Sequence, residues 1–474
     1  MIFNSYIFFI FLGIVLPIFY ILPNKGSKNA FLLISSYIFY GYWDWRFCSL
    51  LAISTIIDFF ICKQLFKTTG EKERKWLLSI SLFTNLGILA FFKYFNFFID
   101  SFQEICQNFG CNVDYLHLNI ILPVGVSFYT FQELSYTIDV YRKKLNPTNN
   151  IIDFALFVAF FPQLVAGPIE RAKSLLPQLS VKLKPSKEQV SQGAVLIVMG
   201  LFRKVMIGDT AGRFVDHIFG NLEMYHSAEI LSALFLFSIQ IYADFSGYSH
   251  IARGTAKLFG VELMKNFEQP YLSRNITEFW RRWHISLSTW LRDYLYFSLG
   301  GNRKGESRKY INLFLTMLLG GLWHGASWNF VIWGGLHGLY LTIHKMINRD
   351  KKIDTENIRK FSIKIILNII FTYLLVLFTW LFFRSTSWNS TVLFFQKVFY
   401  WEASEYSFML IKIVLVFSLL TLILDLLEYT TARHTFILKI KSKAIVTGIL
   451  AAMLIICFIY MFQVEPLPFI YFQF

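Results

Sequence analysis

What most limits the folds open to this chain is the recurrence of apolar runs about as long as a bilayer's hydrocarbon core is thick, roughly 20 residues when helical. They lie near Ile2–Leu22, Phe47–Ile61, Trp76–Phe98, Leu118–Val140, Val190–Ile207, Ile230–Ala243, Ile365–Phe383, Ile411–Leu424 and Ala444–Gln463. Shorter or broken runs lie at Ala30–Tyr40, across Tyr310–Leu341, and at Phe154–Ile169, which contains Pro162, Gly167 and Pro168. Hydrocarbon offers no water to backbone amides, so spanning segments must be helical, and broken helices survive only inside protein or beside a wet cavity. The expected fold is an all-α polytopic integral membrane protein with about 11–12 crossings plus re-entrant and interfacial helices.

Composition points the same way, since 55% of the 474 residues are hydrophobic and 19% aromatic. The net charge of +15 would suit nucleic acid if it were clustered, but the bases fall between apolar runs. They read as markers of cytoplasmic loops, as in Lys63 to Lys75, Arg142 to Lys144, Arg171 to Lys187, Lys345 to Lys364 and Arg433 to Lys443. Membrane lipid is the expected surrounding, with no nucleic-acid partner. The loop from Asp100 to His117 and the segment after Gln463 carry no lysine or arginine, which places both termini outside the cytoplasm. The first run has no basic stretch before it and no small-residue cleavage site, so it reads as a retained span. Cys106 and Cys111 are close enough to pair on the outer loop, and no metal-ligand spacing occurs. With no repeat and no internal linker, residues 1–474 read as one domain, with 464–474 as an extracytoplasmic tail.

The stretch from Trp280 to Gly338 holds the polar residues that this composition makes conspicuous. Its first part mixes Arg281, Arg282, Arg292 and Asp293 with Trp283, Trp290, Tyr294 and Tyr296, the pattern of an amphipathic helix at a membrane surface that carries His284. From Tyr310 to Gly335 no residue carries a fixed charge, and His324 stands alone there among Gly320, Gly321 and Gly325. An ionisable group at membrane depth is a functional candidate by default. A histidine packed among aromatics and holding one backbone hydrogen bond fits the same string.

The strings EFWRRWHISLSTWLRDYLY and LLGGLWHGASWNFVIWGGLHG resemble the signature of the membrane-bound O-acyltransferase family, in the bacterial branch that acylates envelope polysaccharides and includes D-alanine transfer to teichoic acids. FYTFQELSYTIDVYR, FFPQLVAGPIER and YADFSGYSHIARG extend the resemblance in order along most of the chain. One departure is His250, where the family usually has aspartate. The resemblance implies helices around a central tunnel, with the histidine of LWHG, His324, as general base. It places the histidine of WHIS, His284, at the cytoplasmic mouth of that tunnel.

Acyl transfer to a hydroxyl needs a base within reach of the O–H, an activated acyl donor and donors for the developing oxyanion. A desolvated imidazole stays neutral and able to accept a proton. No permanently bound cofactor is expected; the donor would be acetyl-CoA or another cytoplasmic acyl thioester. Asn275, Arg281, Arg282 and Arg303 are candidates to hold its phosphates, or equally to anchor anionic lipid. The terminal FIYFQF, Phe469–Phe474, follows Pro466 and Pro468 and cannot continue the last span. It resembles the end of the small companion peptide of teichoic-acid D-alanylation, which makes Tyr471 a candidate acyl carrier for relay to an extracytoplasmic acyltransferase partner. The expected activity is O-acetylation of an alginate- or peptidoglycan-type polysaccharide from a bacterial inner membrane. A non-catalytic transporter for an envelope precursor is the alternative that apolar spans alone allow.

Overall fold

The computed structural model describes residues 1–110, 117–165, 167–348 and 362–472. Among them regular structure is helical throughout, and seven helices are long and apolar enough to cross a membrane: Arg46–Lys67, Glu71–Asn108, Lys187–Phe219, Ser227–Leu258, Ile363–Arg384, Glu405–Thr431 and Lys443–Gln463. Shorter apolar helices cover Tyr6–Ile21 and Ile151–Leu164. Several expected runs are shortened by their punctuation. The run from Leu118 becomes helical only at Val126, after Pro123 and a left-handed Gly125 at φ 77°. Cys111 lies outside the described residues, so its expected pairing with Cys106 does too.

Two compact units are present. The first comprises Met1, Tyr6–Val190 and Thr255–Met264. Its interior holds two carboxyls on neighbouring helices: Asp58 accepts from Ser81 at 2.6 Å and Asn85 at 2.8 Å, and Glu133 accepts from Thr55 at 3.0 Å and Ser54 at 3.2 Å. The second unit comprises Ile2–Ser5, Ser191–Gly254 and Lys265–Phe474, and it contains every candidate site residue.

The second unit is built on residues 227–254 of the Ser227–Leu258 helix, which is 89% buried along its most apolar stretch, against 11% for Lys443–Gln463. A small-residue seam lets it approach the Lys187–Phe202 helix backbone to backbone. A Cβ on Gly254 would lie 2.6 Å from the Gly193 carbonyl oxygen, and one on Gly247 would lie 2.7 Å from that of Gly200. The pairs fall seven residues apart on each helix and run antiparallel, as in close-packed membrane helices. Past Gly200 the helix widens into a π-helical stretch, Arg203–Asp209. That extra residue per turn directs both Arg203 and Lys204 inward, and such stretches recur at functional sites.

Trp280–Tyr296 is not the surface helix its composition suggests. It forms a helix over Ile276–Arg282, a break at Trp283–His284, a helix over Ile285–Trp290 and a π-helical turn over Leu291–Tyr296. Trp280, Trp283, Trp290, Tyr294 and Tyr296 are all buried. Their rings pack inward, Trp283 on Phe267 at 5.0 Å and Trp380 at 5.0 Å, and Trp280 on Trp333 at 5.8 Å. Arg282 is neutralised by Glu278 at 2.6 Å, so its charge does not require a wet face.

The expected break in the Tyr310–Leu341 run is present. The helix Glu306–His324 ends at Gly325, and Ser327 caps the next helix, Trp328–Ile347. The two cross at Gly321 and Gly334: a Cβ on Gly321 would lie 2.3 Å from the Phe330 carbonyl oxygen and 2.8 Å from the Gly334 Cα. Gly321→Val therefore overpacks this crossing by about 1–3 kcal/mol. The expected outcome is a fall of several degrees in the thermal midpoint of the detergent-purified protein; an unchanged midpoint would show that the backbones do not meet here.

Candidate active site

His324 is the last residue of its helix because the next residue leaves helical geometry, Gly325 taking φ −161° and ψ 154°. Glycine is required there by space: the Phe330 ring lies 2.1 Å from where a Cβ would sit. His284 reaches the same region from a strained turn, at φ 41° and ψ 55°, in the left-handed region that non-glycine residues rarely adopt. Its neighbours impose that conformation, Trp283 N–H donating to Phe279 O at 2.8 Å and Ile285 N–H to Asn266 O at 2.9 Å. Tyr471 arrives from the far end of the chain on a 3-10 turn, Ile470–Phe472, closed by Phe472 N–H to Phe469 O at 2.9 Å. Gln473 and Phe474, the end of the expected tail motif, lie outside the described residues.

The three candidate catalytic side chains meet. Ring centroids of His324 and Tyr471 are 5.4 Å apart, those of His284 and Tyr471 6.1 Å, and those of His284 and His324 6.3 Å. Phe245 closes one side, 4.7 Å from His284 and 4.8 Å from Tyr471. Trp323 at 5.0 Å, Trp333 at 5.0 Å and Phe383 at 5.3 Å surround His324. The two imidazoles thus share one cluster, His284 0% and His324 3% exposed.

Burial pushes the His284 imidazole down to about 3, which leaves it neutral near pH 7. Burial, aided by the negative charge of Asp244, raises the Tyr471 phenol well above its ordinary value. Its hydroxyl is buried and makes no hydrogen bond to the described residues. The phenol therefore stays protonated near neutral pH.

The four residues expected to hold an anionic donor are not brought together in one role. Asn275 caps the Ile276–Arg282 helix by accepting from Glu278 N–H at 2.9 Å. Arg282 is buried on Glu278, whereas Arg281 and Arg303 are exposed. His337 takes the packing role: it accepts from Trp280 Nε1 at 3.3 Å and meets the Thr379 hydroxyl at 2.9 Å. His250, standing where resemblance leads one to expect aspartate, contacts His434 at 3.0 Å, ring nitrogen to ring nitrogen.

Sequence reasoning passed over Lys204, Asp209 and Asp244, which lie beside the tail, and Phe245 and Trp333, which wall the site. Asp244 and Phe245 stand inside the YADFSGYSHIARG string, so their positions were visible there but not their partners. Among the described residues, no group of three or more His, Cys, Asp or Glu side chains is arranged to hold a metal ion.

The membrane-bound O-acyltransferase family matches this chain over residues 32–388. The chain is 42% identical over 412 residues to a probable alginate O-acetylase AlgI of Pseudomonas putida, covering 85% of this chain and 82% of that protein. It is 34% identical over 425 residues to a peptidoglycan O-acetyltransferase of Helicobacter pylori, covering 83% of this chain and 78% of the relative. A teichoic acid D-alanyltransferase of Bacillus subtilis is similar over 247 residues at 27% identity, 49% of this chain and 62% of that one. These matches set the transporter alternative aside. A match across residues 32–388, joined to relatives of this identity over most of its length, makes the chain a member of the membrane-bound O-acyltransferase family, an O-acyltransferase of the membrane.

Proposed function

We propose that the protein moves an acyl group, acetyl in the first place, from a cytoplasmic thioester such as acetyl-CoA onto Tyr471. From there an extracytoplasmic acyltransferase partner passes it to a polysaccharide of the cell envelope. The observation that carries this reading is the seating of Tyr471 against His324, with ring centroids 5.4 Å apart. Its similarity to a probable alginate O-acetylase and a peptidoglycan O-acetyltransferase supports the acetyl group and the class of polymer.

In this mechanism the neutral His324 imidazole accepts the Tyr471 O–H proton while the phenolic oxygen attacks the thioester carbonyl. The C–O bond forms, the C–S bond breaks, and the departing thiolate takes the proton back from the imidazolium. The raised phenol explains why a base is needed during attack. The product is a phenyl ester, which remains activated because a phenol, with an ordinary pKa of about 10, is a better leaving group than a sugar hydroxyl. His284, neutral and held beside both partners, orients the acyl carbonyl or the phenol. Arg281 and Arg303, exposed and free of a carboxylate partner among the described residues, suit the donor's phosphates. In this reading the donor side faces the cytoplasm of a bacterial inner membrane and the tail lies outside it, which the distribution of basic loops supports.

Two substitutions test this. His324→Ala is expected to lower acetyl transfer from radiolabelled acetyl-CoA in purified membranes by about 10²-fold or more; retained turnover would return this histidine to a packing role. Tyr471→Phe keeps the ring packing and removes the oxygen, so transfer to the polymer and any ester on the protein should both vanish while insertion is normal. Wild-type product from Tyr471→Phe would eliminate the relay.

A further inference from the structure

The tail that carries Tyr471 is held by more than its aromatic rings. Pro466 and Pro468 have no amide hydrogen, which leaves this non-helical segment few donors, and its backbone groups have defined partners. The Leu467 carbonyl accepts from Lys204 Nζ at 3.2 Å and Asn4 Nδ2 at 3.3 Å. The Ile470 amide, one residue before the tyrosine, donates to Asp244 Oδ2 at 2.8 Å. Lys204 itself lies between Asp209 at 2.5 Å and Asp244 at 2.8 Å, and Asn4 donates to Asp209 Oδ2 at 3.1 Å. All four side chains are buried, at 0% to 3% exposure. Phe469, also buried, sits 4.6 Å from Tyr248 and 5.2 Å from Phe245.

A buried ion cluster that served only to join two helices would have no reason to end on the backbone of a short tail. Replacing buried charges with apolar side chains is often neutral or stabilising, so their net stabilisation does not account for them. What this cluster supplies is direction: Asp244 accepts from one tail amide, and Lys204 and the N-terminal Asn4 donate to one tail carbonyl. We propose that Asn4, Lys204, Asp209 and Asp244 form a latch that seats the tail with the Tyr471 ring beside that of His324. They are positioning residues for acyl transfer, an assignment that rests on the relay reading of Tyr471. Lys204 offsets the charge of Asp209 and Asp244, and Asp244 fixes the peptide that sets where Tyr471 points.

The test uses the full chain, purified in detergent, with results expressed per folded protein recovered by size exclusion. In the first arm, transfer from radiolabelled acetyl-CoA is expected to fall by about 10²-fold in Asp244→Ala, the loss typical of a reacting group misplaced by about 1 Å, with the KM for acetyl-CoA unchanged. Asp244→Asn, which keeps an oxygen for the Ile470 amide, should fall less. Asn4→Ala, the mildest change, should still lose about 3-fold or more. In the second arm, Tyr471→Cys is reacted with a maleimide, alone and combined with Asp244→Ala or Asn4→Ala. Releasing the latch should speed labelling by about 10-fold or more, since a loosened tail opens locally without global unfolding. Labelling needs no acyl chemistry and so separates failure of the latch from failure of the relay: unchanged labelling in both double variants overturns the latch even where Tyr471→Phe is inactive. Wild-type transfer by Asp244→Ala overturns it as well.

Discussion

One buried ammonium ties the second unit together. Lys204 is fully buried between Asp209 and Asp244, and it also donates to the backbone of the C-terminal tail. Removing charge from water is costly, and the arrangement holds only because each carboxylate has a further donor, Asn4 for Asp209 and the Ile470 amide for Asp244. The π-helical stretch Arg203–Asp209 makes it possible by turning two consecutive basic residues into the protein. Arg203 goes to Asp425 and Glu428, at 3.2 Å and 3.0 Å. Lys204 goes to the tail.

The aromatic cluster acts on that frame as an environment. Phe245, Trp323, Trp333 and Phe383 pack around His284 and His324, and burial favours the neutral form of His284. The same packing leaves His284 and His324 with almost no exposed surface. The left-handed backbone of His284 persists only while its surroundings hold it.

Much of the fold was legible in sequence for a local reason. The run from Ile365 to Phe383 became the helix Ile363–Arg384, and the Tyr310–Leu341 run is broken at Gly325, whereas Gly320 and Gly321 stay inside the helix. The site was partly legible: His324 stood out as the one ionisable residue in its apolar stretch, and Tyr471 through the tail it resembles. The surface-helix reading of Trp280–Tyr296 failed because arginines and tryptophans in alternation look alike at a lipid headgroup and in a core. What separates the two cases is whether Glu278 is in place to pair with Arg282, and that is set by the turn of one short helix.

The sequence by itself determined that this chain is helical, lies in a membrane and carries one lone ionisable histidine in an apolar stretch. Those follow from interactions within a few residues, because a backbone amide in lipid has to find its partner in its own helix. Only the tertiary structure decided that Tyr471 lies against His324, that Asp244 holds the peptide before that tyrosine, and that His284 joins them. Contacts between residues so far apart in the chain have no period and no spacing; they exist only once the helices have closed on one another along their glycine seams.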